Sequence, residues 1–569
     1  MSMLRVFERA SSDQSRVPED WMPATAVRAF VFDDPVLVWL DFYGEAHGFE
    51  KDSSPYEFTD FIFEKGRQFE RKWISDIAPQ AVRVCEEPYE ARESSKFRQT
   101  LELIQSGAPL IAGPALWWAP ERVFGVPDLL VHSAWLRERF PELQSGSDSP
   151  EHYSVFDMKF TTKLDSTDKK LSLGNYAAQI RIYSYIAGQL TGAMAPRAFL
   201  VCRDRITSPL VVPIRSAVGG TLDDDLRTVR DRYFDIKIRG GNYRPGVDRE
   251  IETNLTNDQD DPWHSAKLEI ARNRVPGGDP CLVYEIGRIQ KQALAERGFS
   301  DLQGLLGTEP DAIPLESCSG LGAAKCPRIR AVLRANRAGT VTRGSIPRVP
   351  PLKRFEFYVD FETFNNLNVD FDREWPALEG CEMIFMIGVG WEENERWKYR
   401  AFIAESETHT SERRLLHEFE QFLQARTGDR LRDTSSTAFF HWTSAEVWQL
   451  RRAADRHGLD TSHTLRALPW YDLQKEIFLA EPLGVPGAWS FGLKEVVSAL
   501  GLVEWPGNLD DGLRASVAGW KAYRASRPSE SADMQTVRQY NEVDCTALHE
   551  LVRWLRRPTT ASAVAGPRY

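Results

Sequence analysis

The chain is poor in cysteine, with seven among 569 residues, at positions 85, 202, 281, 318, 326, 381 and 545. The count is odd and no C-x-x-C occurs, so neither a disulfide framework, a zinc site nor a cysteine-ligated cluster is expected. Free, mostly buried thiols in a reduced cytoplasmic setting are the expectation. No apolar run approaches the length that crosses a bilayer. The start, Met1-Ser2-Met3-Leu4-Arg5-Val6-Phe7-Glu8, turns charged too soon for a secretory signal. Also missing are a Walker A sequence, a helicase motif, a nucleophile elbow and any H-E-x-x-H among the ten histidines. Gly322-Ala323-Ala324-Lys325 is too short for a phosphate loop. A motor would therefore have to be a separate helicase or other protein partner, and no membrane partner is expected.

What is present can build large cores: 42% of the residues are hydrophobic and 11% aromatic. The length exceeds what one core usually covers, so several domains are expected. The 17 tryptophans are read as mostly core, with a few suited to stacking bases in a single-strand channel. Net charge is −11, from 71 basic and 82 acidic residues, which argues against general attraction to nucleic acid. The charge is unevenly spread. Between positions 325 and 354 stand Lys325, Arg328, Arg330, Arg334, Arg337, Arg343, Arg348, Lys353 and Arg354, without one acid. Such a run is either a phosphate-contacting surface or a solvated helix face. Lys325, Arg328, Arg330, Arg334 and Arg337 are the candidate nucleic-acid contacts.

Patterning divides the chain. Residues 1–250 mix helix and strand signals. Two short apolar runs, 26–32 and 36–42, are split by Asp33-Asp34-Pro35, strand-like stretches cover 123–132 and 153–160, and an amphipathic helix is predicted over 174–191. Residues 251–342 read as short helices broken by glycine and proline, where Gly320-Leu321-Gly322 before the basic helix suggests a helix-hairpin-helix-like turn onto phosphates. A Pro-rich basic linker, 343–354, leads into strands and then helices over 355–557, an α/β layer. A disordered tail is expected at 558–569.

Two sets of polar residues stand out. The first is Gly125-Val126-Pro127-Asp128, then Asp157-Met158-Lys159, then Gln179 with Tyr183. Side chains alternate along a strand, so Asp157 and Lys159 share a face and, with Asp128 from a neighbouring strand, can hold a divalent ion beside a lysine acting on water. A desolvated lysine changes its pKa readily, which suits that role. The second set is Asp360-Phe361-Glu362 on a strand and Tyr540-Asn541-Glu542-Val543-Asp544 on a helix, where Tyr540 and Asp544 stack at i,i+4. Three or four such carboxylates make a two-metal phosphodiester-cleaving site, with Asp360, Glu362 and Asp544 as ligands and the tyrosine hydroxyl placed to orient water.

The first set resembles the RecB-like branch of the PD-(D/E)xK nucleases, which adds a Q-x-x-x-Y helix, matched by Gln179 and Tyr183. That branch also has an acid on an earlier helix, for which Glu70 is the best match and Glu64 the second. Many members carry a four-cysteine iron–sulfur cluster, but no matching spacing occurs here, so no cluster is expected. The second set resembles the DEDDy exonucleases of the RNase H-like fold. The aspartate that this family places after a His-Asn strand end has two counterparts, Glu446 after His441-Trp442 and Asp472 after Trp470-Tyr471. A glutamate is the longer ligand. Ser490-Phe491-Gly492-Leu493-Lys494 looks like an element of bacterial proteins that join the two domains.

The resemblance implies an α/β multidomain chain with a restriction-endonuclease-like α/β core, a small helical middle region and an RNase H-like α/β domain. It implies a Mg²⁺- or Mn²⁺-dependent nuclease, with DNA favoured over RNA, in repair or in defence against foreign DNA. The alternatives are a nucleic-acid-binding scaffold with an inactive RNase H-like domain, and an RNA-cleaving enzyme or toxin using the C-terminal site.

Overall fold

The structure is a computed structural model that describes residues 16–17, 20–143, 151–161, 175–203, 205–214, 222–255, 262–341, 349–364, 383–460, 462–505 and 512–557. The tail at 558–569, Arg343, Arg348 and Cys381 lie outside the described residues. The six described cysteines are free and buried. The chain folds into two compact units, one built on Met1–Lys51 and Asp60–Asn257, the other on Asp52–Thr59, Asp258–Asn368 and Glu379–Tyr569.

The helix α1 (Ser53–Ile77), which belongs to the first unit from Asp60 on, precedes that unit's six-stranded sheet. Its strands are β1 (Val82–Arg83), β2 (Leu110–Ala112), β3 (Leu129–His132), β4 (Tyr153–Lys159), β5 (Arg197–Cys202) and β6 (Leu210–Pro213), in that spatial order. The pairs β2–β3 and β3–β4 are antiparallel, whereas β4 and β5 are parallel and joined by the crossover helix α2 (Asn175–Thr191). The strand-like stretch 123–132 is two strands. Pro127 offers no N–H to a ladder, so Val123–Gly125 joins a separate sheet with Met22–Pro23 and Leu116–Trp118, and β3 starts only at Leu129. The runs at 26–32 and 36–42 form short helices on either side of Asp33, whose φ of 56° reverses the chain.

Helix α2 departs from the amphipathic expectation. Every residue from Ala177 to Gly188 is buried, because the helix lies between β4, the strand Leu116–Trp118 and the helix Val27–Val31. Two of its buried polar side chains have clear partners: Arg181 pairs with Asp223, and Gln179 donates to the Tyr183 hydroxyl at 2.7 Å. Buried polar groups without such partners would be costly.

In the second unit a helical segment contributes α3 (Cys326–Ala338), with Pro327 in its first turn and Gly339 closing it in the left-handed conformation. A five-stranded sheet follows. It contains β7 (Phe355–Phe364), β8 (Met383–Glu393), β9 (Arg396–Ile403), β10 (Thr437–His441) and β11 (Trp470–Asp472), in the spatial order β9-β8-β7-β10-β11. The first three pair antiparallel, and β10 and β11 join parallel to β7. Strand alternation sends Phe357 and Val359 into one core, with Leu415 and Phe419 of α4 (His409–Thr427) and Leu450 of α5 (Ala445–Arg456). It sends Tyr358 into another, with Leu548 and Leu551 of α8 (Ala532–Arg556), the helix that follows α6 (Leu493–Ala499) and α7 (Gly512–Ala522). Asp360 has the parity of Tyr358 and so faces α8.

The sequence reading separates 251–342 from 355–557. In the structure the two belong to one unit from Asp258 on, because Leu305, Ile329 and Leu333 of the helical segment share a core with Phe440, Phe478 and Leu551. Gly484 makes the closest approach: a Cβ there would stand 2.0 Å from the Ala331 carbonyl oxygen of α3. Gly484→Ala is expected to destabilise the helical segment and the sheet together, by about 1–3 kcal/mol. In denaturant unfolding followed by hydrogen exchange, loss of protection confined to α3 would contradict a shared core.

Candidate active sites

In the first unit, β3 and β4 bring the predicted acids together. Leu129 pairs with Phe156, so Asp128, one residue before β3, lies beside Asp157. The Asp128 carboxylate accepts the Met158 N–H at 2.5 Å. Lys159 Nζ stands 2.5 Å from Asp157 Oδ2, so the ammonium is the partner of that buried oxygen. Helix α2 covers the acids with Gln179 and Tyr183, while Tyr176 of the same helix lies 5.5 Å from the Lys159 amine. Gly125, the first residue of the quoted motif, is the seat of the tyrosine: a Cβ there would meet Tyr183 Cε1 at 2.3 Å.

Glu70 and Glu64 are separated by their surroundings. Glu64 bonds to Arg67 at 2.7 Å and to Gln68, and Arg67 holds its carboxyl below the usual range. Glu70 is raised by burial despite Arg83, at 3.0 Å, and it feels Asp157 and Lys159. The geometry thus favours Glu70, with Arg83 as a clamp that sequence reading did not identify. Asp128 is pushed well up, first by burial and then by Asp157.

Lys159 is a correction. Desolvation was expected to make the amine easy to deprotonate, and burial does pull its pKa down. Asp157 and Asp128 outweigh burial and raise it, so Lys159 enters as a held cation.

In the second unit, Asp360 and Glu362 project from the C-terminal half of β7 toward α8, and Tyr540, Asn541 and Asp544 of α8 meet them. The Asn541 amide donates to Asp360 Oδ2 at 2.7 Å and reaches Glu362 Oε1 at 3.4 Å. Its oxygen accepts the Tyr399 hydroxyl at 2.9 Å. Gly388 makes this possible, since a Cβ there would lie 1.5 Å from Asn541 Oδ1. Trp505 Nε1 donates to Asp544 at 2.9 Å, and the Tyr540 hydroxyl also reaches that carboxylate. Asn541 sat inside the quoted motif without an assigned role. Its signal was available, because residues 541 and 544 share a helix face.

Glu446 and Asp472 are now distinguishable. Glu446, in the first turn of α5 (Ala445–Arg456), is buried, and His441 holds its carboxylate at 3.1 Å. Its charge acts on Asp360, Glu362 and Asp544. Asp472 is opposite His441 in the β10–β11 register and caps the Lys475 N–H at 2.9 Å. Of the two, Glu446 is the one whose charge bears on Asp360, Glu362 and Asp544 together.

Burial and neighbouring acids raise Asp360 well above the carboxylate range, Glu362 up to about 8 and Asp544 up to about 6. For Glu362 the causes are burial and Asp544, opposed by Asn541 and by Lys494. Among the described residues no group of three or more His, Cys, Asp or Glu is gathered tightly enough to hold an ion as it stands. The donor sets nonetheless suit a hard divalent cation. Both are all-oxygen carboxylate clusters in which burial and like charge raise Asp128 and Asp360.

The basic run is different in space from its appearance in sequence. Lys325 and Arg328 pair with Glu285 at 2.6 and 3.6 Å, Arg330 with Glu316 at 2.5 Å, Arg334 with Asp311 at 3.1 Å, and Arg337 with Glu309. These cations are matched by acids of the same helical segment, so the surface is far less one-sided than its sequence.

A family model of the RNase H superfamily, RNase_H_2, matches residues 371–556. The match includes Glu446 and Asp544 and begins after β7, whose Asp360 and Glu362 are tied to the matched part by pairing with β8. The C-terminal part is thus RNase H-like, a superfamily of metal-dependent phosphodiester hydrolysis. No curated protein and no solved structure matches the chain.

A carboxyl group whose pKa is higher in the folded than in the unfolded chain binds more protons when folded. Its contribution therefore falls as pH rises through that interval. For Glu362 the interval runs from 4.5 to about 8. Without metal, the melting temperature of the RNase H-like part is expected to fall from about pH 5 to about pH 8. Mn²⁺ should raise it more at the upper end, and Glu362→Gln should flatten both trends. Calorimetric scans with pH-independent melting and a uniform Mn²⁺ effect would refute the electrostatic account.

Proposed function

We propose that the chain is a divalent-metal-dependent nuclease with two sites, acting on DNA in preference to RNA, in repair or in defence against foreign DNA. The observation that carries this reading is that Asp360, Glu362, Glu446 and Asp544, at an RNase H-like part, lie close enough to act on one another's charge. Support for the N-terminal site comes from an antiparallel β2–β3–β4 meander with an α2 crossover to β5, which delivers Asp128, Asp157 and Lys159 to one face.

Asp128 and Asp157, with Glu70, would hold an ion at the first site, and Asp360, Glu362, Asp544 and Glu446 at the second. Mg²⁺ or Mn²⁺ bound there supplies polarisation of the phosphate and a more acidic water. The protein supplies the rest. Lys159 keeps its proton and presents positive charge to an anionic phosphate, which a cation in a dry site stabilises strongly. Asp128 fixes the β4 backbone through Met158, so that Asp157 and Lys159 keep their spacing. Gln179 and Tyr183 close the face to water. At the second site Tyr540 directs its hydroxyl to Asp544, a position from which it can orient a water.

End-labelled single- and double-stranded DNA and RNA, with Mg²⁺ or Mn²⁺, test the reading in the wild type, Lys159→Ala and Asp360→Ala. Each substitution is expected to remove its own site's activity by roughly 100- to 1,000-fold and to leave a product pattern belonging to the other. Loss in Asp360→Ala alone would make the C-terminal site the enzyme and dismiss the N-terminal one. No cleavage by the wild type would leave the scaffold reading.

A further inference from the structure

We propose that Asn541 is the positioning residue of the C-terminal site: backed by Tyr399, its side-chain amide holds one oxygen of Asp360 and one of Glu362 and so sets which oxygens the two acids present to divalent ions. This rests on the nuclease reading of that site. The asparagine is fully buried on α8, three residues before Asp544. Its nitrogen donates to Asp360 Oδ2 at 2.7 Å and to the Asp360 backbone carbonyl at 3.2 Å, and it reaches Glu362 Oε1 at 3.4 Å. Its oxygen accepts the Tyr399 hydroxyl at 2.9 Å and lies 3.9 Å from Cys545 Sγ. Both ends of the amide are thus engaged by protein atoms, so Asn541 acts through the acids rather than on ion or substrate.

Its neighbours fix which way the amide points. Ionised carboxylates accept and do not donate, so the nitrogen faces them. Tyr399, on β9, is pushed up by burial and keeps its proton, which it offers to the amide oxygen. That oxygen occupies the space left by Gly388, where a Cβ would stand 1.5 Å from it and 3.1 Å from the Tyr399 hydroxyl. The last torsion of a carboxylate side chain is broad and otherwise weakly fixed. Holding one oxygen of each acid sets that torsion and leaves the other oxygen for an ion. An uncharged amide does this without competing for the site, whereas a cation in its place would oppose the ions it is meant to admit.

The full chain carrying Asp157→Asn, which keeps the first site out of the titration, serves as the parent. Mn²⁺ binding is followed by the paramagnetic resonance of the free ion, beside cleavage of a labelled single-stranded oligonucleotide. Asn541→Leu is expected to weaken Mn²⁺ binding and to lower kcat, each roughly 10- to 100-fold, with KM unchanged because no substrate contact is lost. Tyr399→Phe should weaken Mn²⁺ binding roughly three- to tenfold in the parent and have no effect in the Asn541→Leu background, since the hydroxyl acts through the amide. Parental Mn²⁺ affinity in Asn541→Leu, or an equal loss from Tyr399→Phe in both backgrounds, would overturn the proposal. Should Asn541→Leu fail to fold, Tyr399→Phe decides alone, and unchanged Mn²⁺ affinity there overturns it. A parent that binds Mn²⁺ but cleaves nothing would sink the nuclease reading of this site by itself, and the titrations would still decide the asparagine. A parent that binds no Mn²⁺ would sink both.

Discussion

Like charge gathered in a dry place governs this molecule. Each site concentrates carboxylates where water cannot screen them, and the fold must hold that repulsion while keeping lone pairs pointed inward. The two sites solve it differently. At the first, a lysine on the same strand sits against Asp157, and a backbone N–H takes up Asp128, so the compensation comes from the sheet that carries the acids. At the second, it comes from elsewhere in the chain: an asparagine and a tyrosine on α8, a tryptophan before it, a histidine at the end of β10 and a lysine on α6. The RNase H-like site therefore depends on distant segments being in register.

Glycines make this register possible. Gly125 admits the Tyr183 ring and Gly388 admits the Asn541 amide, each at a spot where one methyl group would displace a site residue. Neither has the left-handed backbone that usually explains a glycine. Their role is close approach, and it ties the small sheet to one site and the central antiparallel pair to the other.

Much of this was legible in the sequence. The strands bearing Asp157, Asp360 and Glu362 follow from alternation, and the helix carrying Tyr540 and Asp544 from its spacing. Three features were not legible, for physical reasons. Ion pairing across a fold is invisible to a linear charge count, so the arginines of α3 looked unopposed although Glu309, Asp311 and Glu316 lie just upstream. The sign of a lysine's pKa shift depends on which of burial and neighbouring charge is larger, a three-dimensional matter that reversed the expectation for Lys159. The choice between Glu446 and Asp472 depended on where His441 points, which no spacing reveals. The crossover helix α2 was found, but its burial on all sides followed from a second sheet that forms only because Pro127 splits a strand.

The core shared by the helical segment and the five-stranded sheet has a consequence for synthesis. The first unit's sheet, Val82 to Pro213, is complete before the second unit's sheet begins at Phe355. The helical segment around α3 stands differently. Leu305, Ile329 and Leu333 find their partners in Phe440, Phe478 and Leu551, which emerge much later, the last on α8. Contacts so distant in sequence close slowly, and the apolar face of α3 stays uncovered meanwhile. During translation this segment is the stretch most in need of protection, and an interruption before β10 would leave it without Phe440, Phe478 and Leu551.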